Sequence, residues 1–227
     1  MNVTNLVVTV TGDHTLNLTA DEAVLSYGGN TKTFSSINVN GNLVGSVGAG
    51  GPDVADLNDY GAMYDLRLIG KDDNTINVLF SAAGASPVMP SGYTWALLVS
   101  KPVNDGDANL IPFTQVGVDV VMRSLIDQGP PSGSANSFHT KTLDSIPAGV
   151  RMVTFVLALQ LNQPDGSLTF REHGASGDGI VIGVANDDAN WEGQVTMTCS
   201  SDLKIDWMRS SEGAILQMSV SGYRLGL

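Results

Sequence analysis

Turn-forming residues recur so closely along this chain that little besides short strands fits between them. Its 227 residues include 26 glycines and 9 prolines, set among runs of Val, Ile, Thr and aromatic side chains. Glycine takes the positive φ of a tight reversal and proline presets the angle beside it, so each cluster ends a regular element. The β-branched and aromatic runs between them suit a pleated, half-buried surface. Charged residues amount to only 15%, whereas a helical protein would carry more Glu, Lys and Ala. The reading is all-β: an antiparallel β-sandwich or jelly-roll-like fold of about a dozen short strands, in two packed β blocks.

The blocks are predicted at 1–128 and 138–227, joined by a Pro/Gly/Ser linker at 129–137 that begins Gly129-Pro130-Pro131-Ser132-Gly133-Ser134. In the first block, Thr4–Val10, His14–Thr19, Ala23–Tyr27 and Lys32–Phe34 read as strands, the last two flanking a Gly28-Gly29-Asn30 hairpin turn. Met63–Ile69 and Thr75–Phe80 form a second hairpin across Gly70–Asn74. Ser124–Gln128 reads as a single helical turn. In the second block the apolar run Val150–Leu161 is long enough for a helix, but its β-branched content makes it a long buried strand. Gln163-Pro164-Asp165-Gly166 after it reads as a hairpin turn.

The stretch Pro87–Met122 organises the rest. Pro90-Ser91-Gly92 is a turn, and Tyr93, Trp95, Leu97 and Val99 then alternate with smaller residues as one large-residue face. Asn104–Asn109 is a polar hairpin loop, and Leu110–Val116 the return strand, with Pro112 marking an edge or bulge. The ordered series is a strand pair ending in Ser (Met63–Ser81), then Pro-x-x-Pro-Ser-Gly-Tyr-Thr (Pro87–Thr94), then Ile-Pro-Phe-Thr-Gln-x-Gly (Ile111–Gly117). It resembles a β-structured module of tail-fibre, baseplate and other virion proteins of tailed bacteriophages and prophages. The resemblance spans roughly residues 57–123, with a weaker echo at Val220–Leu225. It implies a virion structural protein of the tail or baseplate, assembled in the bacterial cytoplasm, in contact with other virion proteins and with a host-surface glycan or receptor. It also implies a homotrimer. The chain has no coiled-coil or collagen-like shaft, which leaves capsid decoration or a head fibre as the alternative.

A net charge of −12 opposes nucleic-acid binding, which needs a Lys/Arg stripe, and opposes docking on an anionic membrane. No apolar run approaches the ~20 residues of a spanning helix. The opening Met1-Asn2-Val3-Thr4 has no basic, apolar leader. The single cysteine, Cys199, forms no internal disulfide and reads as a small buried hydrophobe.

The residues carry little catalytic chemistry, and no enzyme and no cofactor are expected. His14, His139 and His173 stand apart, in no metal-ligand spacing. The run Gly48–Pro52 lacks the Gly-Lys-Ser/Thr ending of a phosphate loop, so Val47–Asp59 reads as a flexible or interface loop. Asp105-Gly106-Asp107 resembles half a calcium loop, but Leu110 stands where the glycine belongs, which favours a turn. Trp191 sits in the polar run Asp187-Asp188-Ala189-Asn190-Trp191-Glu192. An indole there suits receptor or subunit contact, the alternative being a lid on the sandwich. Candidate ligand or subunit contacts are therefore Trp191, Asp187, Asp188, Asn190, Asp105 and Asp107. Tyr93, Trp95 and Trp207, on alternating strands, are expected in the core.

Overall fold

The computed structural model describes residues 2–57, 63–105, 107, 109–128, 135–161, 167–177, 179–183, 189–210 and 215–226. Strands are the only regular elements among them, and every pairing between these strands is antiparallel. The chain divides into two compact units, Met1–Ser124 and Leu125–Gly226. The predicted linker falls largely on residues outside this description; Asn136, at its end, donates its backbone N–H to Arg209.

The first unit holds β1 (Val3–Thr4), β2 (Val7–Gly12), β3 (Thr15–Tyr27), β4 (Asn30–Asn42), β5 (Tyr64–Gly70), β6 (Ile76–Ala82), β7 (Trp95–Ser100) and β8 (Phe113–Val116). It also holds most of β9 (Asp119–Asp127), which runs across the unit boundary. The sheet order is β9-β8-β2-β3-β7-β5-β6, with β1 and β4 also paired to β3. Leu16, Leu18, Leu25, Leu66, Leu68, Phe80 and Phe113 are fully buried and form its core.

Three expectations change here. The segments His14–Thr19 and Ala23–Tyr27 belong to one strand, β3, whose buried side changes phase at the exposed pair Asp21–Glu22. Its partner β4 changes phase opposite, where Ser36 takes φ 55°, so both strands switch faces together. The helical turn at Ser124–Gln128 is absent because β9 continues to Asp127 beside β16 (Ile215–Arg224), and Gln128 donates its N–H to the Met218 carbonyl of that strand. The glycine-rich loop is bonded in place over its described part. Gly50 donates to Val78 and accepts from Asn42, while Gly51 accepts from Phe80. Asp53 donates its N–H to Phe80 and accepts from Val88 N–H at 3.0 Å, buried at 6% exposure. A β-carbon on Gly51 would lie 2.2 Å from the Ser46 carbonyl oxygen, so the segment needs its glycine for close packing.

The second unit contains the C-terminal end of β9 and β10 (His139–Thr142), β11 (Met152–Leu161), β12 (Ser167–Glu172), β13 (Ile180–Gly183), β14 (Ala189–Thr198), β15 (Lys204–Arg209) and β16. One sheet runs β14-β11-β16-β9 and the other β10-β15-β12-β13. Val153, Phe155, Leu157, Val195, Met218 and Val220 of the first, with Leu168, Phe170, Ile205 and Trp207 of the second, are buried. This is a β-sandwich core. The apolar run Val150–Leu161 is a central strand paired on both sides, as its β-branched content implies. The turn proposed at Gln163–Gly166 lies outside the described residues; β11 and β12, the strands before and after it, belong to different sheets. Cys199 is buried, its thiol against the Val150 carbonyl at 3.6 Å, and burial pushes its pKa up.

Candidate surface-recognition site

Three turns of the first unit bring aromatic side chains together at one end of its sheet. Gly28 and Gly29, at φ 55° and 83°, reverse β3 into β4 in a two-residue loop closed by the pair Tyr27–Asn30. Lys71–Thr75 reverses β5 into β6, with Lys71 N–H on the Thr75 carbonyl and Asn74 at φ 71°. The Asp73 carboxylate accepts the Thr75 N–H at 2.8 Å, and that bond holds its pKa below the ordinary value. Pro90–Tyr93 turns into β7, with Gly92 at φ 79° and Tyr93 N–H donated to Pro90. Register then sets Trp95 opposite Gly70 and Ala96 opposite Ser26.

The side chains converge as a consequence. The Trp95 indole donates Nε1–H to Asp72 Oδ1 at 2.8 Å and meets the Tyr27 ring edge-on, centroids 6.4 Å apart. Tyr27 is 60% exposed. The Lys71 ammonium lies 4.8 Å from the centre of the Tyr93 ring. Lys32 donates to the Lys71 and Asp72 carbonyls, so one cation ties the β3–β4 hairpin to the β5–β6 turn. Beneath them Phe34 packs on Gly70, where any β-carbon would fall 2.3 Å from the ring. The cluster is thus rigid at its base and open at its rim. Its aromatic faces can stack on an apolar ring or C–H surface, and its carboxylate and ammonium groups can exchange hydrogen bonds with hydroxyls.

Tyr93 and Trp95, expected in the core, are instead half-buried. Alternation marks which side of a strand a residue faces, not how well that side is covered; Trp95 is the first residue of β7 and Tyr93 precedes the strand. Trp207, by contrast, is buried, 3% exposed. Tyr27, one of the eight Tyr and Trp side chains able to stack on a sugar ring, was not singled out as a contact residue in the sequence. The available signal was an aromatic residue directly before a two-glycine turn, where a large side chain has no neighbour to cover it.

The other candidates fare differently. The Asp105 carboxylate serves its own loop, with Oδ1 accepting the N–H groups of Asp107 and Asn109 at 2.8 and 2.9 Å. Burial raises its pKa, but those bonds outweigh it and the net shift is downward. Asp107 is exposed on the same loop. Trp191 and Asn190 are not in a loop: they lie on β14, opposite Leu159 and Gln160 of β11. The long apolar strand β11 draws these residues into its ladder despite their polar surroundings. Asp187 and Asp188 lie outside the described residues.

In the second unit Asp206, 6% exposed, gathers His173 Nδ1 at 2.7 Å, Thr140 Oγ1 at 2.9 Å and Arg171 Nε at 3.5 Å. Burial raises its pKa, yet the bonds from His173 and Thr140 outweigh burial and hold it below 3.8. Arg171 in turn lies over the Phe138 ring at 3.5 Å. The group fastens β10, β12 and β15 together. Among the described residues no three His, Cys, Asp or Glu side chains come together as metal ligands. Compared with known proteins, the chain matches no family model and no curated sequence.

Proposed function

We propose that this chain is a structural component of a bacteriophage tail or baseplate that contacts a host-surface glycan, assembled as a homo-oligomer. A trimer is what the resemblance of residues 57–123 to virion modules implies. The observation that carries the reading is the open aromatic cluster Tyr27, Tyr93 and Trp95, with Lys71 and Asp72 at its rim. Two of the three rings, and both charged residues, lie within the stretch that carries the resemblance. A pyranose offers a C–H face to an aromatic ring and hydroxyls to a flanking carboxylate and ammonium, and an aromatic anchor with a polar rim is the usual composition of a binding hot spot.

The reading is tested by adsorption competition. Purified protein added to host cells before the particles is expected to reduce adsorption, and the double variant Tyr27→Ser/Trp95→Ala should lose that effect. Equal competition by the variant would remove the cluster from the contact. Gold-labelled antibody on purified particles then locates the protein. Label at the tail tip or baseplate supports the proposal, label over the head favours capsid decoration, and unlabelled particles overturn both.

A further inference from the structure

We infer that the second unit accepts an extended strand from another protein, which pairs with the free edge of β13 and seats a side chain in the groove beside it. Among the described residues β13 is the terminal strand of its sheet and pairs only with β12. In an antiparallel ladder alternate residues direct both N–H and C=O to each side, so part of β13 presents unpaired backbone groups outward. The edge reads Ile180-Val181-Ile182-Gly183. It has no charge, proline or bulge to block strand addition, and Val181 is 59% and Ile180 39% exposed.

An apolar groove of about 420 Å³ opens alongside. Phe170 and Ile180 line it from one sheet, and Met152 and Met197 from the other. Its mouth is kept wide by small residues, since a β-carbon on Gly177 would have no atom within 4 Å. Gly179, at φ 75°, lies so close to the Phe170 carbonyl that a β-carbon would sit 2.2 Å from the oxygen. That contact holds the start of β13 tightly against β12.

A strand is the occupant that satisfies both features, because its backbone pairs with the edge while alternate side chains point into the groove. Charge sets its flanks. From Glu172 to Glu192 the chain carries five acids and no Lys or Arg, and Arg171, the cation that lines the groove, is already paired with Asp206, so a strand bordered by Lys or Arg is favoured. A second copy presenting this same acid-flanked edge is disfavoured here by the same term. This inference does not rest on the aromatic cluster of the first unit.

The test uses the full chain and two peptides, Lys-Thr-Val-Thr-Leu-Thr-Val-Lys with blocked ends and the same sequence N-methylated at alternate residues. The plain peptide should bind by calorimetry and slow amide exchange at residues 180–183. N-methylation, which removes edge hydrogen bonds and keeps the side chains, should weaken binding at least about tenfold, a change of about 1.4 kcal/mol. Ile180→Lys should weaken the plain peptide similarly while leaving the circular dichroism spectrum unchanged. Equal binding of the two peptides overturns the inference, as does the absence of binding and protection at about 1 mM peptide, where even a millimolar complex would register. Concentration-dependent protection of 180–183 in the protein alone would assign the edge to a second copy and overturn the proposed partner.

Discussion

Trp95 and Trp207 occupy the same kind of position in the sequence, each a large ring on an alternating strand, and meet opposite fates. Trp207 lies on β15 between β10 and β12, with its unit's second sheet to cover it, and is buried beside His139 at a centroid distance of 5.5 Å. Trp95 begins β7, at the margin of its sheet, and is held by a carboxylate and a tyrosine edge. The lesson is that periodicity assigns a side, while coverage of that side depends on where the strand ends. A buried indole contributes through area removed from water; a rim indole keeps part of its face available for a ligand.

Truncation separates the two tryptophans most widely. Trp207→Ala should destabilise the second unit by about 3–5 kcal/mol, the range for large aromatic deletions in a core. Denaturant unfolding followed by circular dichroism checks this, and a loss no greater than that of Trp95→Ala would refute the contrast.

The next effect belongs to Asp206, adjacent to Trp207. Asp206→Asn should cost about 1–3 kcal/mol at neutral pH through weaker bonds to His173, Thr140 and Arg171. Because the folded carboxyl titrates below 3.8, its contribution is complete above the unfolded value and disappears as pH falls through the folded one. The stability gap between wild type and Asp206→Asn should therefore close in acid. A gap that persists unchanged well below pH 3.8 would show that the carboxylate's charge is not what stabilises the unit.

The smallest effect is at the rim. Trp95→Phe keeps most of the ring and removes the bond to Asp72, so stability should fall by only about 0.5–1.5 kcal/mol. Competition for host adsorption should drop more than stability does. If both fall in proportion, Trp95 is structural.

Much of the fold was legible because its signals are local. The two-glycine reversal at Gly28–Gly29, the turn after Ile69 and the β-branched run Val150–Leu161 each depend on residues close in the chain, and each stands in the structure as expected. The failures were non-local. Val47–Asp59 read as a flexible or interface loop, and over its described part the flexible half of that reading yields to hydrogen bonds that join Gly50, Gly51 and Asp53 to Val78 and Phe80, distant in sequence. The run at Asn190–Trp191 looked like a loop, yet β11 needed a ladder partner there.

Local residue order suffices for the all-β class, the main turns and the buried long strand, because backbone preference and period-two patterning act over a few residues. Tertiary structure alone places Tyr27, Tyr93 and Trp95 on one rim, turns the Asp105 carboxylate onto its own loop and, among the described residues, makes β13 the last strand of its sheet. Register and strand order bring together residues dozens of positions apart, and no local pattern encodes which edge of a sheet will be left without a neighbour.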